Sequence, residues 1–210
     1  MLYTNSQLNE IVCNIVDNNL YGLYEEKIKM FSDFEQSILW QCMNDKIDKT
    51  LHVELDKIIR KHISSDVPVE LYRGVSKRTE AWLKNMAIGR IIADDRVTSF
   101  TSDFSTARQF AGGNVYGTHT ILALRNCPFA FNYQEHALNM LLAAPETEFM
   151  HSIDPDFIFD ERLDKLEMVN GEDEWMFPIG TQFEIVEIEE LQYDPLSPSY
   201  TVYHLDFYSF

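Results

Sequence analysis

The hydrophobic period of the sequence changes at Val67-Pro68, and this change limits the folds that the chain can adopt. Before it, apolar residues recur every three or four positions, which is the period of one buried face of an α-helix. After it, they alternate with other residues, as they do along a β-strand. The sequence therefore predicts an α+β protein, with a helical region over residues 1–66 and a β-rich region over residues 67–210 that form one compact unit.

Individual elements follow from these periods and from capping residues. Three apolar stripes predict helices, at residues 8–16, 34–43 and 51–63. Three further helices are predicted at residues 76–86, from Ser105 to Gly112-Gly113, and at 133–144 with Asn132 as N-cap. Alternation predicts strands at residues 69–75, 96–103, 116–125, 129–131, 175–177, 183–188 and 200–207. Residues 145–171 are acidic and irregular, which is typical of a long surface loop.

Composition excludes several classes of protein. The 210 residues are 45% hydrophobic, enough for one compact core, but they contain no apolar run long enough to span a membrane. The N-terminus lacks the order of a secretory signal, so we expect a cytoplasmic protein without a membrane contact. The six histidines and three cysteines have no metal-ligand spacing, so no metal site is predicted.

The formal net charge of -17 disfavours a general nucleic-acid binder, because it repels a phosphate backbone. The charge is uneven: eleven acidic and two basic side chains lie between Glu146 and Glu174. This acidic segment is either a solvated loop or an approach that attracts a basic partner surface.

Two glutamates, Glu172 and Glu174, stand two residues apart at the entrance of an apolar strand. In an extended chain their side chains would point the same way, about 6 to 7 Å apart, so that both face one cleft. Such close carboxylates resist joint ionisation, and tuned pairs of this kind are common at reactive sites. A solvated strand edge would also carry such a pair.

An arginine and a hydroxyl-rich run complete the candidate chemistry. Arg73 shares a strand face with aliphatic residues, where its guanidinium needs either a structural salt bridge or an anionic ligand such as phosphate. Gly74 would let a ligand approach the backbone. The hydroxyl groups of the run Ser99-Phe100-Thr101-Ser102 either lie on a strand edge without a functional role or donate hydrogen bonds that hold a carboxylate in place.

These three pieces, in this order, resemble the Arg-Ser-Glu class of mono-ADP-ribosyltransferases. Residues 31–43 extend the resemblance to the small Mod-type enzymes of T4-like phages, of the ModB-like branch. Phe100 and Thr101 depart from the motif, since many relatives carry Thr and Ser there. The resemblance implies a fold of two packed β-sheets that enclose an NAD cleft, with an N-terminal helical layer. It also implies NAD as the substrate and no metal.

The resemblance assigns catalytic and NAD-binding roles along the chain. Glu174 would stabilise the cationic sugar formed when nicotinamide leaves and would bind the ribose 2′-hydroxyl, while Ser99 holds the Glu174 side chain. Thr101 stands at the last hydroxyl position of the motif and is a further candidate for NAD binding. Three other positions would contact NAD: Arg73 at the diphosphate, the Gly74 backbone at the nicotinamide amide, and Phe110 as a ring beside nicotinamide.

Glu172 would determine which side chain accepts ADP-ribose. A protein arginine has a pKa above about 12 and is a poor nucleophile, so a carboxylate that orients it and takes its proton is required. The family relation implies transfer of ADP-ribose to arginine on host proteins of the translation or transcription machinery, in the bacterial cytoplasm. An RNA with NAD at its 5′ end is a further candidate donor, although the acidic surface argues against it.

Two alternatives use the same fold. An NAD glycohydrolase would replace the acceptor with water and would keep Glu174 and Ser99 but not need Glu172. A non-catalytic interaction module would not need Arg73. A carboxylate-pair glycosidase is compatible with the spacing of the two glutamates but gives no reason for that arginine.

Overall fold

We describe a computed structural model that covers residues 3–43, 48–113, 115–144, 162–192, 195 and 198–210. The helices in these ranges are α1 (Asn5–Asn18), α2 (Tyr21–Ile28), α3 (Asp33–Met43), α4 (Lys49–His62), α5 (Lys77–Leu83), α6 (Phe104–Ala111), α7 (Tyr133–Ala143) and α8 (Arg162–Glu172). The strands are β1 (Glu70–Gly74), β2 (Ile91–Ala93), β3 (Thr98–Thr101), β4 (Thr120–Arg125), β5 (Phe131–Asn132), β6 (Glu174–Phe177), β7 (Gln182–Leu191) and β8 (Tyr200–Ser209). The predicted α+β class is confirmed.

The chain divides into two units. The first, which we call the helical unit, comprises Met1–Ile58 and Asn132–Asp173. The second, the sheet unit, comprises Ile59–Phe131 and Glu174–Phe210. No helix in the described part of the chain is both long enough and apolar enough to cross a membrane.

Helix α1 shows how local sequence sets the elements of the helical unit. Thr4 accepts a hydrogen bond from the Gln7 backbone N–H, and the Gln7 side chain accepts one from the Thr4 backbone N–H at 2.8 Å. This reciprocal pair satisfies donors that the first turn leaves without partners. Three residues of the predicted apolar stripe are buried, Leu8, Val12 and Ile15, whereas Val16 is exposed. Helix α2 was not among the predicted stripes.

Helix α8 contradicts part of the predicted loop. The prediction of irregular structure over residues 145–171 is wrong from Arg162 onwards, and residues 145–161 lie outside the described ranges. The buried positions of α8 recur at helical spacing: Arg162, Leu166, Val169 and Asn170. Asn170 also ties the chain start to this helix, because its side chain donates to the Tyr3 carbonyl and accepts from the Tyr3 N–H at 3.1 Å.

The sheet unit is built on one hydrogen-bonded order of strands, β2-β7-β8-β4-β1-β3-β6-β5. Strands β4 and β8 pair in parallel, and the pairs β1–β4, β1–β3, β3–β6, β2–β7 and β7–β8 are antiparallel. In a flat sheet, β6 and β7 would lie about 24 Å apart, since five strand spacings separate them. Yet the rings of Phe177 in β6 and Phe183 in β7 are 5.4 Å apart. The sheet therefore folds over, so that its two halves pack face to face as the fold expectation requires.

An aromatic core fills the space between these halves. The Phe100 ring lies 5.4 Å from that of Phe177 and 5.8 Å from that of Phe183. Leu71 and Leu205 belong to the same buried cluster, which joins β1, β3, β6, β7 and β8. Burying such rings is among the largest stabilising contributions that single side chains make.

Gly74 lies where α6 crosses β1, and this contact explains why the position is glycine. A Cβ atom there would stand 2.4 Å from the Ala107 carbonyl oxygen and 2.5 Å from the Ala111 nitrogen. Backbone atoms cannot move away as a flexible side chain can. The absence of a side chain at Gly74 is therefore a packing requirement of the strand-helix contact.

We predict that Gly74→Ala lowers the free energy of unfolding by about 1 to 3 kcal/mol, because it overpacks this contact. Chemical denaturation of the purified variant measures the change. Gly22→Ala is the matched control: it lies in α2 with nothing within 4 Å of the added carbon, and it should stabilise by up to about 1 kcal/mol. Equal stability of the two variants would contradict the packing account.

Candidate active site

The register of β3 against β6 brings three candidate residues together. Thr101 lies opposite Glu174, and Ser99 lies opposite Met176. Side chains directly opposite in an antiparallel pair share a face, and residues two apart on a strand share it as well. Ser99 and Thr101 therefore flank Glu174, one diagonally and one directly across, on the same face of the sheet.

The two residues Ser99 and Thr101 of the hydroxyl-rich run have different surroundings. Thr101 is buried and its hydroxyl accepts from the Asp103 N–H at 3.1 Å. Asp103 caps α6, since its carboxylate accepts from the N–H groups of Ser105 and Thr106. These bonds fix the path from β3 into α6. Ser99 is half-buried and is the diagonal neighbour of Glu174 across the strand pair.

Arg73 holds its guanidinium against β3. Its Nη1 donates to the Ser99 carbonyl oxygen at 2.9 Å. Burial lowers the pKa of Arg73 from its ordinary value, an effect that the carboxylates of Asp94 and Glu174 oppose. An arginine still keeps its proton at neutral pH, because its pKa starts above about 12. The result is a positive charge fixed beside the strand that carries Ser99.

A structural salt bridge, one of the two alternatives from the sequence, does not account for this charge. Among the described residues, no carboxylate makes an ion pair with Arg73, which donates to a neutral carbonyl instead. That bond uses one of the five N–H donors of a guanidinium. Of the two alternatives from the sequence, an anionic ligand is the one that the geometry favours.

The strand edge next to Arg73 is open toward β3. Strand β1 pairs with β4 along its whole length, from Glu70 to Gly74, but its pairing with β3 is at Tyr72 opposite Thr101. Phe110 lies over the face of β1 that Gly74 presents to α6, because its Cβ lies 2.9 Å from where a Cβ of Gly74 would be. The Phe110 ring is half-buried and lies 6.2 Å from the Tyr116 ring. It is therefore a partly exposed ring beside the guanidinium strand and not a core side chain.

Glu172 is held differently from the sequence expectation. It ends helix α8, Asp173 adopts a left-handed backbone with φ of 47°, and Glu174 begins β6. The prediction that Glu172 and Glu174 extend from one continuous strand is therefore wrong. Asp is one of the residues that tolerate this conformation, so the helix-to-strand change fits within one residue. Glu172 belongs to the helical unit and Glu174 to the sheet unit.

Sequence reasoning missed two charged residues that act on Arg73. Asp94 attracts its charge and Arg96 repels it. Asp94 and Arg96 lie in the short connection between β2 and β3, and the strand β2 was not predicted. The sequence feature that could have indicated them is the charged triplet Asp94-Asp95-Arg96 just before the hydroxyl-rich run.

No group of three or more His, Cys, Asp or Glu side chains in the described ranges is arranged to hold a metal ion. The candidate site thus consists of a fixed guanidinium and a carboxylate next to two hydroxyl-bearing residues, with a half-buried aromatic ring near Gly74. A half-buried cation of this kind suits a phosphate group, and a carboxylate suits a developing positive charge.

Comparison with known proteins identifies the family of this chain. The family model described as bacteriophage T4 Mod ADP-ribosyltransferase matches residues 1–210. The chain is 39% identical over 187 residues to the NAD–protein ADP-ribosyltransferase modB of Enterobacteria phage T4, covering 89% of this chain and 88% of that protein. It is 32% identical over 215 residues to modA of the same phage, covering 100% of this chain and 99% of that protein.

A solved structure supports the fold independently. The crystal structure of C3stau2 from S. aureus with NAD matches with a TM-score of 0.52 at 11% identity, over 93% of this chain and 96% of that one. At that identity the likeness concerns the fold alone. The family match over the whole chain and the two phage relatives show that this chain belongs to the Mod family of ADP-ribosyltransferases.

Proposed function

We propose that this enzyme transfers ADP-ribose from NAD to arginine side chains of bacterial host proteins during phage infection. The observation that carries the proposal is the convergence of Arg73, Ser99 and Glu174 around β3 in the sheet unit. The phage relatives, named as NAD–protein ADP-ribosyltransferases, support the reaction class. NAD-capped RNA is a second candidate donor, which the net charge of -17 disfavours.

The reaction begins at the bond between nicotinamide and ribose. When this bond breaks, its electron pair goes to the nicotinamide ring, which loses its positive charge, and positive charge develops on the sugar. A fixed carboxylate at the sugar stabilises that state more than it stabilises bound NAD. We assign this role to Glu174, together with a hydrogen bond to the ribose 2′-hydroxyl. Ser99 positions its carboxylate, with Thr101 across the strand pair.

The remaining contacts hold NAD. Arg73 binds the diphosphate, for which a guanidinium with unused donors is well suited. The Gly74 backbone, at the edge where β1 separates from β3, meets the nicotinamide amide, and the neighbouring Phe110 ring lies beside nicotinamide. No step in this scheme requires a metal, because the ring charge already activates nicotinamide as a leaving group.

Glu172 acts on the acceptor. The attacking nitrogen of a protein arginine must lose a proton as it bonds to the sugar carbon, and Glu172 takes this proton. The protein targets proposed here are components of the host translation or transcription machinery, in the host cytoplasm. Mass spectrometry of labelled host proteins identifies the target and the modified side chain.

We predict that Glu174→Gln reduces both NAD cleavage and protein labelling by at least about 100-fold, since it removes the charge that stabilises the transition state. Labelled NAD with host lysate measures the transfer. Glu187→Gln, an exposed glutamate on β7, removes the same charge elsewhere in the sheet unit and should leave both activities intact. Full activity of Glu174→Gln, or no NAD consumption by the wild type, would reject the catalytic assignment and leave a non-catalytic module.

We predict that Glu172→Gln abolishes labelling of protein arginine but retains NAD cleavage with water as acceptor. The reason is that proton removal from the acceptor is separate from departure of nicotinamide. Nicotinamide release and protein labelling are measured in the same reaction. Asp164→Asn, an exposed acidic position on α8, is the matched control. Parallel loss of both activities in Glu172→Gln would contradict the acceptor role, and a wild type that only hydrolyses NAD would support the glycohydrolase alternative.

A further inference from the structure

The connection between β2 and β3 carries an ion pair just before β3, the strand whose Ser99 carbonyl oxygen accepts from Arg73 at 2.9 Å. Arg96 Nε lies 3.6 Å from Asp94 Oδ1. The Arg96 side chain is 46% exposed and the Asp94 side chain 31%, so both are accessible to a ligand and neither is locked in a core. No role in the reaction has been assigned above to either residue.

The backbone of this connection is fixed at both residues. The Asp94 carbonyl oxygen accepts from the Gly180 N–H at 3.1 Å, which ties the connection to the turn after β6. The Arg96 carbonyl oxygen accepts from the Thr98 hydroxyl at 3.3 Å, just before β3 begins. Because these bonds involve main-chain oxygens, side-chain changes at Asp94 or Arg96 leave them in place.

The charges of this ion pair also act on Arg73. Asp94 attracts the Arg73 guanidinium, and Arg96 repels it. The Asp94 carboxylate thus pairs with Arg96, whereas the positive charge of Arg73 has no ion-pair partner among the described residues. The diphosphate of NAD carries two negative charges on adjacent phosphates, which matches the two cations better than a single carboxylate does.

We propose that Arg96 is a second contact for the donor diphosphate and that Asp94 is an internal competitor that limits how tightly Arg73 and Arg96 hold it. This inference rests on the proposed function, since it takes NAD as the donor. In the absence of NAD, the Asp94 carboxylate pairs with the Arg96 guanidinium. When the diphosphate binds, Arg96 exchanges the carboxylate for phosphate oxygens.

Limited affinity has a chemical reason in this reaction. The diphosphate is not cleaved, so after transfer it is attached to the modified protein and must leave the site with it. Contacts that hold NAD and product equally tightly lower KM without accelerating the chemical step, and they delay release. A carboxylate that returns to Arg96 favours that release.

The alternative is an ordinary exposed ion pair, which contributes little to stability. It predicts that neutralising Asp94 leaves the binding of NAD unchanged. Our proposal predicts that neutralising Asp94 increases the affinity for NAD. Most charge removals at a binding site decrease the affinity.

The test compares four variants by the KM for NAD, kcat, and the Kd for ADP-ribose. We expect Asp94→Asn to lower KM and Kd by about two- to five-fold, and Arg96→Gln to raise them by about ten-fold. Neither substitution should change kcat for NAD cleavage by more than about two-fold if the chemical step limits the rate. If product release limits the rate, Asp94→Asn should lower kcat. Higher salt should reduce both shifts in affinity. In the double variant Asp94→Asn/Arg96→Gln, the gain from Asp94→Asn should disappear.

Glu70→Gln is the matched control, because Glu70 pairs with Arg125 at 3.3 Å on the sheet unit with similar exposure. It changes the net charge by the same amount and should leave KM and Kd unchanged. The proposal is overturned if Asp94→Asn fails to tighten binding relative to Glu70→Gln, or if Arg96→Gln does not weaken it. These outcomes concern only the two residues, whereas a wild type that consumes no NAD would reject the proposed function itself.

Discussion

The hydrogen bond from Arg73 to the Ser99 carbonyl is the contact on which the site depends, because it joins two strands where their ladder ends. It fixes a guanidinium beside β3 without neutralising it, since a carbonyl carries no charge. The opposite edge of β3 pairs with β6 and thereby sets Glu174. One short strand thus positions a cation on one side and an anion on the other, an arrangement that a dinucleotide with an anionic diphosphate and a reactive sugar can use.

Packing keeps these edges in place. The rings of Phe100, Phe177 and Phe183 bind β3, β6 and β7 into one core, although the strand order places β6 and β7 at a distance. Helix α6 lies against β1 so closely that only glycine fits at Gly74. The same contact places Phe110 over the face of β1 at Gly74. The residues that support the fold and those that form the site are therefore neighbours in the same strands.

Residue spacing and capping residues predicted those helices and strands that depend on interactions between residues close in sequence. The alternation around Arg73 predicted β1, and Asn132 was confirmed as the N-cap of α7. Helix α8 was missed because its acidic exposed face hid a short buried stripe, and the left-handed Asp173 gives no periodic signal. The β3–β6 register and the approach of α6 to Gly74 depend on residues distant in sequence, so spacing alone could not reveal them. The family resemblance supplied the candidate site residues, whereas the charges near Arg73 added Asp94 and Arg96.

The central claim is that Ser99 acts through Glu174, its diagonal neighbour across the strand pair. A double-mutant cycle on NAD cleavage with Ser99→Ala, Glu174→Gln and the double variant measures this coupling directly. If Ser99 only positions that carboxylate, the double variant should be no slower than Glu174→Gln alone. Losses that multiply, as for independent residues, would contradict the account.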